Sequence, residues 1–277
     1  MSRAIKKVTL SVLLTFFAAA AVVPILLMLV NSFKTGSELA KNACGIPSFW
    51  TISNYSSLVS FNSGILVRTF LNSVFVSVVY TLLTLIVSSL AAFAFSKYSF
   101  KGKNVIFIFL LATMMIPVEI TIPAIYLMFS KVHMLNTYSV QIFPGIANVF
   151  CLFMLKQYMD SLPNSLLEAA RLDGAGDISI YQKVVLPLVS PAIGALAILT
   201  FLGKWNDYLW PSMLLTRTEV MPIMVVLPTL NTGNSQWSTP WELVMAGCVI
   251  VTLPFILVFF IFQDQFMSSV TIGAVKE

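Results

Sequence analysis

Long runs of uncharged, apolar residues are the feature that most constrains this chain. The first run, 8–33, lies between Lys7 and Lys34 and carries no charged side chain. A helix of about 20 such residues crosses the roughly 30 Å hydrocarbon core of a bilayer. Six largely uncharged runs follow one another, so the sequence predicts an all-α membrane protein with six transmembrane helices. The predicted spans are approximately 8–33, 69–96, 104–130, 134–155, 187–210 and 243–263.

Composition supports a single transmembrane domain over 1–277. Of the 277 residues, 58% are hydrophobic and 10% are charged, whereas about a quarter of a soluble domain is charged. The net charge of +5 does not indicate a nucleic-acid partner, because the basic residues are dispersed and flank the apolar runs at the lipid surface. One histidine, His133, excludes a multi-histidine metal site, so no metal ligand is predicted.

The distribution of lysine and arginine predicts the orientation of the spans. With the amino terminus inside the cell, ten basic residues fall in cytoplasmic segments and six fall outside. Cytoplasmic connections of membrane proteins carry an excess of lysine and arginine. The sequence therefore predicts a multi-pass protein with both termini in the cytoplasm, and it places the connection between the fourth and fifth spans there too.

That connection, 156–190, is the polar, helix-breaking insert around which the chain is organised. Residues 168–170 begin a stretch of good helix formers. Gly174 and Gly176 are expected to end this helix, because glycine takes a positive φ without steric cost. A second helical piece, 178–186, follows, with Asp177 placed to cap its first turn. The insert is predicted to form a helix, a turn and a second helix outside the membrane.

Catalytic motifs are absent from the sequence. No G-x-x-x-x-G-K-[ST] phosphate cradle occurs, so this chain is not expected to hydrolyse ATP. Neither an H-E-x-x-H metal motif nor a G-x-S-x-G nucleophile motif is present. The residues therefore predict a non-catalytic protein with no bound cofactor.

The insert resembles the signature loop of ABC importer permeases. E-A-A is followed at fixed spacing by a glycine, a β-branched residue and L-P, with valine at position 184 where isoleucine is commoner. The extended form E-A-A-R-L-D-G-A is similar to the carbohydrate-importer branch, the class of the maltose permeases. The resemblance implies that these residues couple the permease to an ATPase: Glu168, Ala169, Ala170, Asp173, Gly174, Ala175, Leu186 and Pro187.

The same resemblance implies function and partners. A MetI-like, binding-protein-dependent permease of the bacterial plasma (inner) membrane is expected, importing sugars and in particular oligosaccharides. Its partners would be a second, non-identical permease, two ATPase subunits that hold ATP and Mg²⁺, and an extracellular or periplasmic sugar-binding protein. The terminal GAVKE is similar to the ends of carbohydrate-importer permeases, where such tails can reach toward the ATPase pair, and a frayed terminus is an equal alternative.

Two groups of residues are candidates for a substrate path. Glu119 lies within the third predicted span between two prolines, where it serves either a function at membrane depth or a solvated kink. Trp205, Asn206, Asp207 and Tyr208 could stack on sugar rings and bond hydroxyl groups. An aromatic belt at the membrane interface explains the same cluster without a ligand, and the belt is the favoured interpretation.

The sequence disfavours three alternatives to a sugar ABC permease. An ATPase-independent secondary transporter would need an inverted repeat and intramembrane coupling charges, and no repeat is evident. A membrane enzyme lacks a catalytic constellation. An ABC permease for glycerol phosphate or a polyol is closer, but a phosphate would call for a cluster of basic residues, which the predicted spans do not contain. The particular sugar is not encoded in any motif of the chain.

Overall fold

The computed structural model describes residues 3–231 and 239–274, which form helices and connections without a β-strand. This confirms the prediction of an all-α chain. The α-helices in chain order are α1 (Arg3–Asn31), α2 (Gly36–Lys41), α3 (Ser53–Ser60), α4 (Ile65–Lys97), α5 (Lys103–Thr113), α6 (Ile122–Lys131), α7 (Tyr138–Ile142), α8 (Val149–Asp160), α9 (Asn164–Leu172), α10 (Asp177–Ile180), α11 (Leu186–Leu188), α12 (Ser190–Trp205), α13 (Leu209–Leu214), α14 (Ile223–Val226) and α15 (Trp241–Ala274). Short 3-10 helices occupy Phe61–Gly64, Val118–Thr121, Thr218–Val220 and Leu227–Asn231, and Tyr181–Val185 forms a π-helical turn.

Membrane-length helices occur at several of the predicted spans. In the described part of the chain, three helical stretches are long and apolar enough to cross a membrane, judged by length and composition: Lys7–Asn31, Ser53–Lys97 and Trp241–Ile261. The second of these comprises α3, the 3-10 helix Phe61–Gly64 and α4. Two bent pairs of helices raise the number to five if each pair is one span: Lys103–Thr113 with Val118–Lys131, and Asp177–Leu188 with Ser190–Trp205. The count of six spans stays a prediction.

Proline explains the sharp bend in the third predicted span. Helix α5 and the segment Val118–Lys131 meet at 92°. Between them Pro117 adopts an extended conformation, with φ −58° and ψ 129°. Proline cannot donate a backbone hydrogen bond, and it disfavours helical geometry in the residue before it, so the helix ends here.

The fourth predicted span consists of two shorter helices, α7 and α8. Residues 143–148 separate them and contain Pro144 and Gly145. Gly145 has φ +88°, a left-handed conformation that ends α-helical geometry. Asn148 then caps α8, because its side chain accepts a hydrogen bond from the Cys151 N–H at 3.0 Å.

The chain divides into two compact units. Unit 1 comprises Met1–Phe70 and Val225–Pro254, and unit 2 comprises Leu71–Met224 and Phe255–Glu277. Both candidate functional features lie in unit 2.

A buried lysine organises unit 1 after α1. The Lys34 side chain is fully buried, and its ammonium donates to the carbonyl oxygens of Asn42 and Gly45 at 2.6 Å each. Asn54 Nδ2 donates to the Lys34 carbonyl at 2.8 Å. These bonds satisfy a charge that would otherwise be costly to bury, and they fix the polar segment that follows α1.

A hydrophobic core in unit 2 joins α4, α8 and the segment from α9 to α12. Its most buried members include Leu155, Met159, Ile180 and Val185, each without exposed surface. Burying one such side chain is worth about 1.5–3 kcal/mol. This cluster, called the unit 2 core below, supports the polar insert between the fourth and fifth predicted spans.

Candidate functional site

Helix α9 is amphipathic and is buried along one side. Pro163 precedes its first residue in an extended conformation, with φ −58° and ψ 132°. Leu167 is buried in the unit 2 core, whereas Glu168 and Ala169 are exposed. The helix thus offers a solvent-facing surface whose position is fixed by one apolar anchor.

Two polar contacts attach the insert to α4. The Lys97 ammonium, at the end of α4, donates to the Leu162 carbonyl at 2.7 Å and to Asn164 Oδ1 at 3.1 Å. Further along the insert, the Tyr181 hydroxyl and Ser89 Oγ are hydrogen bonded at 2.7 Å in a buried position. Charge-assisted and buried hydrogen bonds restrict relative movement more than exposed ones. We therefore expect a displacement of α9 to displace α4 as well.

The end of α9 forms a Schellman motif. The Gly174 N–H donates to the Arg171 carbonyl at 3.0 Å, and the Ala175 N–H donates to the Ala170 carbonyl at 3.0 Å. This nested pair of bonds satisfies the last carbonyl groups of a helix and needs a left-handed residue between them. Ala170 and Ala175 both pack against the unit 2 core, which supplies the apolar contact that accompanies the motif. The spacing in the E-A-A motif therefore has a structural reason: it places E-A-A within α9 and the glycine at the left-handed position that ends the helix.

Gly174 and Gly176 have different backbone conformations, and only one of these conformations requires glycine. Gly174 has φ +80°, as predicted, but the same prediction for Gly176 is wrong, because Gly176 has an ordinary extended conformation at φ −74°. A Cβ atom added at either position would meet nothing within 4 Å. Backbone conformation alone therefore requires glycine at 174, and nothing comparable requires it at 176.

The second helical piece begins one residue earlier than predicted. Gly176 occupies the N-cap position of α10 and Asp177 is the first helical residue, so the predicted capping by the Asp177 side chain is wrong. The helix then widens into the π-helical turn, where the Leu186 N–H donates to the Tyr181 carbonyl. Pro187, which has no N–H, follows at the start of α11. The segment from α10 through α11 meets α12 at 79°.

The predicted coupling residues divide into an inward and an outward set. Those that pack on the unit 2 core, together with the β-branched Val184, are Ala170, Ala175 and Leu186. Those that are exposed are Glu168, Ala169, Asp173, Gly174 and Pro187. Leu172 and Ile178 are also exposed, by 89% and 73%, and sequence reasoning missed them. The signal was available, because Leu172 falls five residues after the buried Leu167 and so off the buried face of a helix.

Charged contacts around the insert are mostly exposed. The Arg171 guanidinium lies 5.8 Å from the centre of the Tyr98 ring and 3.4 Å from Asp177 Oδ1, and both contacts are weak because water screens them at the surface. Lys156 and Asp160 form a pair at 2.6 Å beyond the fourth predicted span. Partial burial acts to raise the pKa of the Asp160 carboxyl, but the hydrogen bond and charge of Lys156 outweigh it, and the pKa lies below its ordinary value.

A cavity of about 720 Å³ lies within unit 2. Its wall is formed by segments that are far apart in sequence, from α4 to α13. The wall is mostly apolar, with aromatic and uncharged polar side chains distributed over it. These are Tyr80, Thr121, Gln141, Asn148, Phe150, Thr200 and Trp210.

A nearly buried ion pair forms the charged part of the cavity wall. Lys204 Nζ and Asp207 Oδ2 are 2.8 Å apart, with side chains that are 10% and 14% exposed. The Lys204 ammonium also lies 5.1 Å from the centre of the Tyr80 ring. Asp207 Oδ1 accepts a hydrogen bond from the Trp210 backbone N–H at 3.3 Å. The pair therefore cancels its own charge and holds the turn between α12 and α13.

Tyr80 and Gly145 approach closely at one side of the cavity. The Tyr80 hydroxyl donates to the Gly145 carbonyl at 3.1 Å. A Cβ atom at position 145 would lie 2.9 Å from that hydroxyl, and φ there is +88°. Glycine is thus required both for the backbone conformation and for the close packing of the ring.

The predicted substrate-path residues are separated by the fold. Asp207 lines the cavity. Trp205 is fully buried and its ring stacks on Phe201 at 5.9 Å, while Asn206 and Tyr208 are exposed. Glu119 is exposed in the 3-10 helix Val118–Thr121, whose first and last residues line the cavity while Glu119 does not. Of the predicted substrate-path residues, Asp207 is therefore the one whose side chain lines the cavity.

The sequence is similar to a family of membrane transport components. Residues 84–272 match the model of the family described as "Binding-protein-dependent transport system inner membrane component". The arabinooligosaccharides transport system permease protein AraQ of Halalkalibacterium halodurans is 35% identical over 266 residues, covering 94% of this chain and 93% of that protein. AraQ of Bacillus subtilis is 34% identical over 257 residues, covering 91% and 90%.

A solved structure has a similar fold over almost the whole chain. It is described as the crystal structure of a bacterial ABC transporter involved in the import of the acidic polysaccharide alginate. The TM-score is 0.83 at 25% sequence identity, and the match covers 95% of this chain and 98% of that chain.

Proposed function

Since this chain belongs to the family of binding-protein-dependent transport system inner membrane components, we propose that it is the permease subunit of an ATP-driven importer of oligosaccharides. Its membership makes it a membrane protein and confirms the resemblance of the chain to this permease family. The observation that carries the proposal is the end of α9, where the E-A-A-to-glycine spacing forms an exposed helix with a Schellman turn. The chain itself is non-catalytic in this proposal.

The exposed side of the insert docks an ATPase subunit. Glu168 supplies a charge for a basic partner residue, and Ala169 permits close approach. Leu172 and Ile178 add apolar surface that is otherwise left in water. An amphipathic helix laid into a groove of a partner is a common mode of recognition.

Docking is coupled to the spans through the contacts of the insert. A push on α9 is passed to α4 through Lys97 and through the buried Tyr181–Ser89 hydrogen bond. The unit 2 core joins the same elements by apolar packing. ATP-driven closure of two ATPase subunits, which hold ATP and Mg²⁺, would rock the spans between outward and inward access as rigid bodies.

The proposed topology has six spans with both termini and the insert in the cytoplasm, as the lysine and arginine distribution favours. The assembly contains a second, non-identical permease, two ATPase subunits and an external sugar-binding protein. Relatives named for arabinooligosaccharides support an oligosaccharide cargo. Glycerol phosphate is disfavoured, because the cation of the cavity, Lys204, is already paired with a carboxylate.

Co-purification tests the ATPase partnership. The chain is expressed with its second permease and a carbohydrate-importer ATPase, and the ATPase captured from detergent-solubilised membranes is measured. We expect capture by the native chain and its loss in the Glu168→Ala, Gly174→Pro double variant. Glu219→Ala, which removes an exposed carboxylate in another loop, is the matched control and should capture normally. A native chain that captures no ATPase, or a double variant that captures and couples it normally, would contradict the proposal.

A further inference from the structure

We propose that the unit 2 cavity is an oligosaccharide subsite formed by residues of this chain, and that the Lys204–Asp207 pair makes the subsite selective for neutral sugars. The inference rests on the proposed function, because it assumes that sugar passes through this assembly. It goes beyond the proposed function by naming the residues of this chain that contact the sugar and the property, charge, by which sugars are accepted or rejected.

The size and lining of the cavity suit part of a sugar chain. Its volume of about 720 Å³ lies within the roughly 300–1,000 Å³ typical of small-molecule sites. Sugars present apolar C–H faces and a rim of hydroxyl groups. Tyr80 and Trp210 offer aromatic surface for the faces, and Thr200 and Asn148 offer polar groups for the hydroxyls.

The charge balance of the wall points to a neutral ligand. Lys204 and Asp207 are the charged side chains among the described residues that line the cavity, and they pair at 2.8 Å with little exposure. An ion pair of this kind presents hydrogen-bonding groups without net charge. A uronate or phosphate entering the cavity would find no unpaired cation, and it would face Asp207 at the cost of like-charge repulsion.

Trp210 is positioned by the same ion pair. Its backbone N–H is held by Asp207 Oδ1, so the residue that sets the charge balance also fixes the start of α13. The Tyr80 ring lies over the Lys204 ammonium and is held by its hydroxyl bond to Gly145. Aromatic surface and charge pair therefore form one connected arrangement.

Gly203 allows the cavity to be filled without disturbing the fold. It lines the cavity within α12, and an added Cβ would meet nothing within 4 Å. Replacing a helix-interior glycine also removes a conformational cost, so Gly203→Leu and Gly203→Trp are compatible with the helix. Leu202→Trp is the matched control, because Leu202 is next to Gly203 in the same helix but does not line the cavity.

The first test is uptake of arabinotriose by proteoliposomes that contain the complete complex, with its binding protein outside and ATP inside. We expect uptake to fall about tenfold or more in Gly203→Trp, to fall less in Gly203→Leu and to stay near native in Leu202→Trp. ATPase capture should be unchanged in all three. Native uptake by Gly203→Trp would overturn the cavity proposal alone, whereas a native complex without ATPase or uptake would overturn the proposed function.

The second test measures selectivity in the purified complex without binding protein. Binding of neutral arabinotriose and of acidic trigalacturonate is compared in the native complex, in Asp207→Asn and in the Lys156→Met, Asp160→Asn control. Leaving Lys204 unpaired should shift the ratio toward the acidic sugar by about tenfold or more, since close charge pairs couple strongly. The control pair lies outside the cavity wall and should not shift it. An unchanged ratio in Asp207→Asn would overturn the role of the pair even if the Gly203 variants failed to assemble.

Discussion

Replacing Gly174 by alanine isolates the one backbone requirement of the proposed coupling loop. An L-residue in the left-handed region costs roughly 1–2 kcal/mol. Because an added Cβ at 174 would meet nothing within 4 Å, this conformational cost is the whole expected effect. A cost of that size changes the local ratio of closed to open turn by about 5–30-fold.

Hydrogen exchange measures this change at the bonds of the Schellman motif. The amides of Gly174 and Ala175 donate to carbonyl groups of α9 at 3.0 Å, so they exchange when the turn opens. In Gly174→Ala, the amide of Ala175 should exchange about 5–30-fold faster than in the native chain. Gly174→Asn should be less affected, because asparagine tolerates the left-handed region better.

Gly176→Ala is the control for this experiment. Position 176 has an ordinary φ and equal free space, so alanine there adds no strain to the turn at 174. Alanine is a poorer N-cap for α10 than glycine, but the amide of Ala175 should still exchange at close to the native rate. Equal exchange rates in the two alanine variants would refute the argument from backbone conformation. A faster rate in Gly176→Ala than in Gly174→Ala would reverse it.

Three further predictions concern stability, each measured by thermal unfolding of the purified complex. Leu167→Ala should destabilise by about 2–5 kcal/mol, whereas Leu172→Ala should change stability by about 0.5 kcal/mol or less yet reduce ATPase capture; equal thermal shifts would contradict this. The pKa of Asp160 is lowered in the folded state, so its contribution is present above about pH 3.8 and is lost as the pH falls through the folded pKa. The stability gap between native and Asp160→Asn should therefore shrink in acid, and a gap that widens would be the wrong sign. Gly145→Ala should cost roughly 1–3 kcal/mol, and adding Tyr80→Phe should recover part of it by removing the clashing hydroxyl; no recovery would contradict the close approach.

Local features of the fold were predictable from the sequence. The apolar runs predicted an all-helical chain, and Gly174 predicted a positive φ, because both depend on residues that are near in sequence. Pro117 likewise indicated a kink, although the 92° angle depends on what packs around it. The helix end at Gly174 was predictable because the Schellman bonds join residues that are at most five positions apart.

The cavity was not predictable in the same way. Its wall joins Tyr80 to Trp210 across intervening segments, and no local pattern specifies such distant neighbours. Trp205 and Trp210 illustrate the limit, since both fit an aromatic belt in the sequence. Trp205 ends α12 and is buried in the protein, whereas Trp210 follows the break after α12 and lines the cavity.

The most direct test of the central claim is sugar uptake by proteoliposomes with and without ATP. The reconstituted complex contains this chain, its second permease and the ATPase subunits, with the binding protein and arabinotriose outside. We expect accumulation that requires internal ATP and the binding protein together, and that is lost in the Glu168→Ala, Gly174→Pro variant. Accumulation by this chain without ATPase subunits or ATP would contradict the account and identify an ATP-independent transporter.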